Sequence, residues 1–337
     1  MRQIWISRVG GPEVLQVREA ADPLPATGQV RVRVRAAGVN FADTMARIGL
    51  YPDAPKIPCV VGYEVAGTID AVGDGVAASR VGERVLATTV FGGYSDVVCV
   101  PEAMALRFPE RLSFAEAASI PVVWLTAWHM LVGLGNLQKG QRVLVHAAAG
   151  GVGTAALQIA RRIGAEVIGT ASPGKHARLI EMGLAHAIDY RSQDFEVEVR
   201  RITAGKGVHI ALDAVGGRSF RKSYRSLAPT GKLMMFGASS ASRERRSITA
   251  ALGMLAGMPI FFPLPMLQEN KGVFGINLGH LWGEVELLSG YLKQILNEFE
   301  SGEFNAIVDS EVPFAEAPRA HQRLASRENF GKVLLVP

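Results

Sequence analysis

The chain is predicted to be an α/β protein in which a doubly wound parallel sheet is joined to a second, strand-rich domain. Three observations carry this. Short apolar runs alternate with helix-length amphipathic segments through the middle of the chain, which is the rhythm of βαβ units. Residues 1–110 read instead as strands divided by glycine-bearing turns. The length, 337 residues, exceeds one average domain.

Taken in order, VRVRVRAAGV (30–39) alternates apolar and polar residues as a half-buried strand does. CVVGYEVAGTIDAVG (59–73) and RVLATT (84–89) are further strands, with turns such as Gly73-Asp74-Gly75 between them. Ser113 and Glu116 have the spacing of a capping box and start a helix. After Pro121 the pattern changes. VLVHA (143–147) is followed by a glycine-rich turn and by TAALQIARRIG (154–164), a helix ending on Gly164. AEVIGTA (165–171), KHARLIEMG (175–183), HAIDY (186–190), EVEVRRITAG (196–205), VHIALDAVGG (208–217) and LAPTGKLMMFGA (227–238) continue the alternation. VELLSGYLKQILNEFESG (285–302) is a long amphipathic helix, and strand-like pieces close the chain. The expected domains are 1–121 with 279–337, and 122–278.

Composition narrows the class. Hydrophobic residues make up 48% and charged residues 20%, with no low-complexity tract. The formal charge is +5, with local clusters at Arg31, Arg33, Arg35 and at Arg243, Arg245, Arg246. No aromatic or groove-reading pattern accompanies them, so no nucleic-acid partner is expected and a general attraction for anionic ligands is favoured. Cys59 and Cys99 offer neither a disulfide framework nor a CxxC pair. With no signal-peptide pattern at the N-terminus, a cytoplasmic location is expected. Residues 248–267 are uncharged and long enough for a bilayer, yet Pro259, Pro263 and Pro265 argue against a spanning helix. A buried or lid-forming loop is expected there, with peripheral membrane contact as the minor alternative.

The chemistry-bearing motif is HAAAGGVG. Gly150 and Gly153 occupy the second and third positions of GxGxxG, with Ala148 in place of the first glycine, and Gly151 and Val152 lie between them. The second glycine lets a pyrophosphate approach the backbone and the third lets the helix pack on its strand. The apolar runs and helix around the turn supply the context such a motif needs. NAD-binding chains place a carboxylate about 20 residues further on. Here the sequence reads Thr170-Ala171-Ser172-Pro173-Gly174-Lys175, with no acid to repel a 2′-phosphate and with Ser172 and Lys175 to bind one. NADPH is therefore the expected cofactor.

With GGPEVLQV, AAGVNFADTMARIGLYP, PCVVGYEVAGTIDAVG, HAAAGGVG and FGKVLLVP in hand, the chain resembles the medium-chain dehydrogenase/reductase superfamily over nearly its full length. It is most similar to the zinc-free quinone oxidoreductase branch, and within that to the subgroup containing the vesicle amine transport protein 1 homologues. The resemblance implies a GroES-like, mostly antiparallel catalytic domain beside the Rossmann domain. It also implies a homodimer through edge strands, placed here at VFGIN (273–277), and a nicotinamide held in the interdomain cleft. Where zinc-dependent members carry a cysteine this chain has Asn40, and their GHE motif reads Gly62-Tyr63-Glu64, so no metal is expected. By resemblance Asn40, Tyr51 and Thr126 border nicotinamide and substrate, and Tyr63 fills the vacated metal position. Tyr190 lies near the adenosine, Phe236, Gly237, Phe274, Gly275 and Asn277 flank the ribose and carboxamide, and Asn329 is carried over near the C-terminus. Plainer readings stand beside four of these: Asn40 as a strand end, Tyr51 as a turn aromatic, Thr126 as the cap of the helix TAWHMLV, and Tyr63 as a packing group.

The expected reaction is hydride transfer from NADPH to a quinone or to the β carbon of an α,β-unsaturated carbonyl, with Asn40 or Tyr51 donating to the developing oxyanion. The sequence leaves quinone and alkene open. The alternative is an NADPH-binding protein with a lipid- or membrane-associated, non-catalytic role.

Overall fold

Alternation turns into strand from the second residue onward. The structure, a computed structural model, describes residues 1–239 and 257–337. It divides into two units, Met1–Leu125 with Leu278–Pro337, and Thr126–Asn277. The first unit opens with β1 (Arg2–Ile6), β2 (Leu15–Glu19), β3 (Gln29–Val39) and helix α1 (Phe41–Arg47). It continues through β4 (Cys59–Val60), β5 (Glu64–Val72), β6 (Arg84–Thr88), β7 (Val97–Pro101) and β8 (Ala105–Arg107) to α2 (Phe114–Ala118) and α3 (Pro121–Trp128), the last of which crosses the unit boundary. Val30, Val32 and Val34 point from one face of β3 into the core, while Arg31 and Arg33 on the other face pair with Asp70. That opposition is the period-two pattern in physical form.

The second unit holds β9 (Arg142–Val145), α4 (Gly151–Ile163), β10 (Glu166–Ala171), α5 (His176–Glu181), β11 (His186–Asp189), α6 (Phe195–Ile202) and β12 (Val208–Asp213). After α7 (Arg218–Arg225) and β13 (Leu227–Met235) come α8 (Pro263–Glu269) and β14 (Gly272–Gly275). Its six strands run in the order β11-β10-β9-β12-β13-β14, all parallel. Leu144, Ile168, Ala211 and Leu233, one from each of four adjoining strands, belong to its core. Helix α4 stops at Gly164, whose φ of 87° suits a left-handed C-cap.

The chain then returns to the first unit with α9 (Val285–Glu300), β15 (Val308–Pro313), α10 (Ala317–Ala325) and β16 (Lys332–Val336). The larger sheet of this unit has the order β15-β16-β3-β5-β6-β8, with β7 also on β3, and a smaller one has β2-β1-β4. Apart from the parallel pair β15–β16, its ladders are antiparallel. The fold class is thus the expected one, a mostly antiparallel β unit joined to a doubly wound parallel one.

Two local readings change. Residues 41–47 form a helix inside a stretch read as strands and turns, because Asp43 reaches back to the Asn40 amide and caps it. The prolines at 263 and 265 open α8 instead of breaking a helix, since the first turn needs no amide hydrogen from them. Of the apolar stretch 248–267, residues 248–256 lie outside the described residues, as do Arg243, Arg245 and Arg246. In the remainder Met258 and Phe261 pack on the core, while Ile260, Phe262, Leu264 and Leu267 are exposed. Among the described residues no helix is long and apolar enough to cross a membrane.

Candidate active site

In the first unit three adjoining strands deliver three polar side chains to one place. β16 pairs with β3 at Val333–Val39, and β3 pairs with β5 at Ala37–Val65. Asn40 follows β3, Glu64 opens β5 and Lys332 opens β16. The Lys332 ammonium lies 2.5 Å from Glu64 Oε1 and donates to Asn40 Oδ1 at 2.5 Å. Asn40 Nδ2 donates to Glu64 Oε1 at 3.0 Å, and Glu64 Oε2 accepts the Val122 amide at 2.7 Å. All three side chains are buried. Gly38 makes the arrangement possible: a Cβ there would stand 2.3 Å from Glu64 Oε1.

Below this triad, Asp43 sits fully buried at the start of α1. It accepts the amides of Asn40 at 2.8 Å and Gly62 at 3.1 Å, and the Tyr94 hydroxyl at 3.1 Å. That hydroxyl also meets His321 Nε2 at 3.0 Å. Burial pushes the Asp43 carboxyl up to about 7 against those donors, and pushes His321 down to about 3. Tyr63 stands in a cluster of rings, 6.4 Å from Tyr51, 5.0 Å from Phe91 and 6.5 Å from Trp282 between centroids. Burial first, and the nearby Asp43 carboxylate second, raise its phenol far above the usual range, so it stays protonated and able to donate.

In the second unit the turn after β9 is built for close approach. Ala147 has a φ of 52°, the left-handed region that a non-glycine residue seldom takes. Ala148 is buried in place of the motif's first glycine, and the neighbouring strand accommodates it, because a Cβ on Gly169 would come within 2.8 Å of the Ala148 methyl. Gly153 is tightly constrained, with a Cβ placed 2.5 Å from the carbonyl oxygens of Ala147 and Ala148. Gly150 leaves room, its nearest neighbour being Ala147 O at 3.3 Å. No side chain caps α4, so its first-turn amides face outward at the positive end of a 13-residue helix. The donor set fits a pyrophosphate.

Because every strand of this sheet is parallel, their carboxyl ends share one edge. Ala148, Gly150, Gly151, Val152 and Gly153 follow β9 there, Ser172 and Lys175 follow β10, and Tyr190, exposed, follows β11. Phe236 and Gly237 follow β13, Phe274 and Gly275 lie in β14, and Asn277 ends the unit. Thr126 is buried within α3, a helix interior and not its cap. Asn329 lies in the first unit, where its Nδ2 donates to Gly331 O at 2.9 Å.

Comparison with known proteins places this arrangement. A zinc-binding dehydrogenase model matches residues 151–290, and an alcohol dehydrogenase GroES-like model matches residues 26–110. The human synaptic vesicle membrane protein VAT-1 homolog is 42% identical over 96% of this chain and 82% of its own length. The chain belongs to the medium-chain dehydrogenase/reductase superfamily. Among solved structures, the Escherichia coli quinone oxidoreductase complexed with NADPH superposes with a TM-score of 0.87 at 32% identity, covering 100% of both chains. The CurK enoyl reductase gives 0.86 at 29%, covering 99% of this chain and 98% of its own.

Among the described residues no three His, Cys, Asp or Glu side chains are grouped as metal ligands would be. Sequence reasoning missed Glu64, Lys332, Asp43 and Trp282 as parts of the site. Asp43 had a legible signal, the Asn-x-x-Asp spacing of a helix start. Lys332 had a fainter one, a cation heading an apolar strand. Its partner across 292 residues of chain was not legible.

Proposed function

We propose that the protein is a zinc-independent, NADPH-dependent reductase acting on a small, hydrophobic, electron-poor acceptor, either a quinone or an α,β-unsaturated carbonyl. The observation that carries the reading is the uncapped start of α4, where Gly150 and Gly153 clear the backbone for a dinucleotide pyrophosphate. Ser172 and Lys175, with no carboxylate between them, favour the 2′-phosphorylated form. Membership of the superfamily supports an oxidoreductase, and relatives named quinone oxidoreductase and enoyl reductase support the acceptor class.

When bound, NADPH supplies the hydride, carried at C4 of its nicotinamide. The residues of the first unit do the rest by position and polarity. The acceptor gains hydride at carbon, and its electron pair moves onto oxygen. Asn40 Nδ2–H, with the hydroxyls of Tyr51 or Tyr63, donates hydrogen bonds to that oxygen. The ring cluster around Tyr63 keeps water away and offers apolar faces to a flat acceptor. Water supplies the closing proton.

The test is loss of NADPH absorbance with purified protein, using 9,10-phenanthrenequinone and an enone as parallel acceptors and NADH as control. Oxidation of NADPH well above NADH with either acceptor is expected, and the acceptor that works tells quinone from alkene. Tyr51→Phe is expected to lower turnover about tenfold if its hydroxyl donates to the oxyanion; unchanged turnover removes Tyr51 from the reaction.

One observation favours a second reading. Ile260 and Phe262 just before α8 and Leu264 and Leu267 within it are exposed, and the human relative is named a vesicle membrane protein. Tight NADPH binding without acceptor reduction, together with co-sedimentation with liposomes, would move a membrane-associated, non-catalytic role ahead.

A further inference from the structure

We propose that Lys332 and Glu64 are positioning residues that lock the Asn40 amide in one orientation, so that a single Nδ2 hydrogen is presented to the acceptor oxygen. This rests on the reductase reading above and assigns a role to two residues that reading does not use.

An asparagine side chain exposes an acceptor and two donors at the ends of a nearly symmetric fork, and a half-turn exchanges them. Here the partners forbid the exchange. An ammonium offers only donors and a carboxylate only acceptors. With Lys332 Nζ 2.5 Å from Oδ1 and Glu64 Oε1 3.0 Å from Nδ2, the flipped amide would set donor against donor and acceptor against acceptor. Glu64 cannot swing away, since its other oxygen holds the Val122 amide at 2.7 Å and Gly38 leaves its side chain a fitted passage across β3. Lys332 is 3% exposed and Glu64 and Asn40 are 0% and 8%, so the pair acts in a medium where such contacts are strong. One Nδ2 hydrogen is taken by Glu64. The other has no protein partner among the described residues. The ammonium on Oδ1 draws electron density from the amide and makes that remaining hydrogen a stronger donor.

Stability alone does not account for the pair. Burying two charges is costly, and apolar residues of similar volume commonly serve the fold as well. What apolar residues cannot do is orient an amide. When hydride reaches the acceptor carbon, the C4–H bond of NADPH breaks, the new C–H bond forms, and the displaced pair gathers on the acceptor oxygen, where the aimed Asn40 hydrogen meets it.

The experiment uses Glu64→Gln with Lys332→Met, because losing either charge alone strands the other in the core. It compares this double variant with Asn40→Ala and with the triple variant, in the full chain. The first readout needs no turnover: the Asn40 side-chain amide pair in a nitrogen–proton NMR spectrum, identified by its loss in Asn40→Ala. In the wild type the two hydrogens are expected to be widely split and one of them slow to exchange; in the double variant the pair moves toward the position of a free asparagine. The second readout is the single-turnover rate of NADPH oxidation at saturation. The double variant is expected to slow it roughly 10- to 100-fold while NADPH affinity stays within about twofold, and the triple variant to be no slower than Asn40→Ala. An amide pair unmoved in the double variant, a rate within about twofold of wild type, or losses that multiply in the triple variant would each overturn the proposal. Wild-type protein that oxidises no NADPH with quinone or enone overturns the reductase reading, and the positioning role with it, whatever the spectrum shows.

Discussion

Asp43 and His321 share the Tyr94 hydroxyl, and burial drives them in opposite directions from their ordinary values of 3.8 and 6.5. Between about pH 4 and 7 the folded protein keeps a proton on Asp43 that the unfolded chain has released, so this group costs stability as pH rises. Between about pH 3 and 6.5 the unfolded chain protonates His321 and the folded protein does not, so this group adds stability as pH rises. The two slopes largely offset each other. Asp43→Asn is expected to expose the His321 slope, with the melting temperature climbing from pH 4 to 6.5 more steeply than in the wild type. His321→Gln is expected to expose the other, with the melting temperature declining from pH 4 to 7. Melting profiles that run parallel to the wild type in both variants would refute the assignment.

At the scale of elements, the turn from β9 into α4 separates two functions of glycine. Gly153→Ala puts a methyl 2.5 Å from two carbonyl oxygens, so the helix must shift from its strand. A loss of roughly 2 kcal/mol or more in stability is expected, with NADPH binding lost alongside it. Gly150→Ala meets only one oxygen at 3.3 Å, and its φ of −79° is ordinary for alanine. This variant should melt near the wild type yet bind NADPH at least tenfold more weakly, because the methyl enters the space meant for phosphate. Calorimetric titration together with thermal melting distinguishes the two. Equal melting losses would mean that both glycines serve packing alone.

For the whole molecule, the consequence lies in continuity. The second unit is one uninterrupted stretch with its own sheet and core, whereas the first is assembled from both ends of the chain, with β16 inserted between β15 and β3. Residues 121–277 expressed alone are expected to unfold cooperatively and to retain binding of NADPH phosphates. Deleting residues 332–337 removes the strand that joins the two ends and also Lys332, and should unfold the first unit while leaving the second one's transition in place. A single transition lost altogether would show that the units do not fold independently. Strand β14 ends the six-stranded sheet with one edge unpaired among the described residues, and we propose that a second copy pairs there. Sedimentation should then give about twice the 36.1 kDa of one chain.

The sequence by itself determined the fold class, the order of the βαβ units, the α4 cradle and the family. Each of these is written in neighbouring residues: periodicity in β3, capping at Ser113 and Glu116, glycine spacing at 150 and 153. The serine hydroxyl indeed accepts the Glu116 amide at 3.1 Å, and the Glu116 carboxylate accepts the Ser113 amide at 2.8 Å. It gave less at Asn40, which could be read only as a strand end or, by resemblance, as a site residue. The tertiary structure decided what holds Asn40, because Glu64 and Lys332 reach it only when β5 and β16 pair with β3 on either side. It also decided that Asp43 and His321 meet through Tyr94. Local spacing records what one segment does with its own backbone; the partners of a buried polar group are chosen by strand register across the whole chain, and no window of sequence contains that.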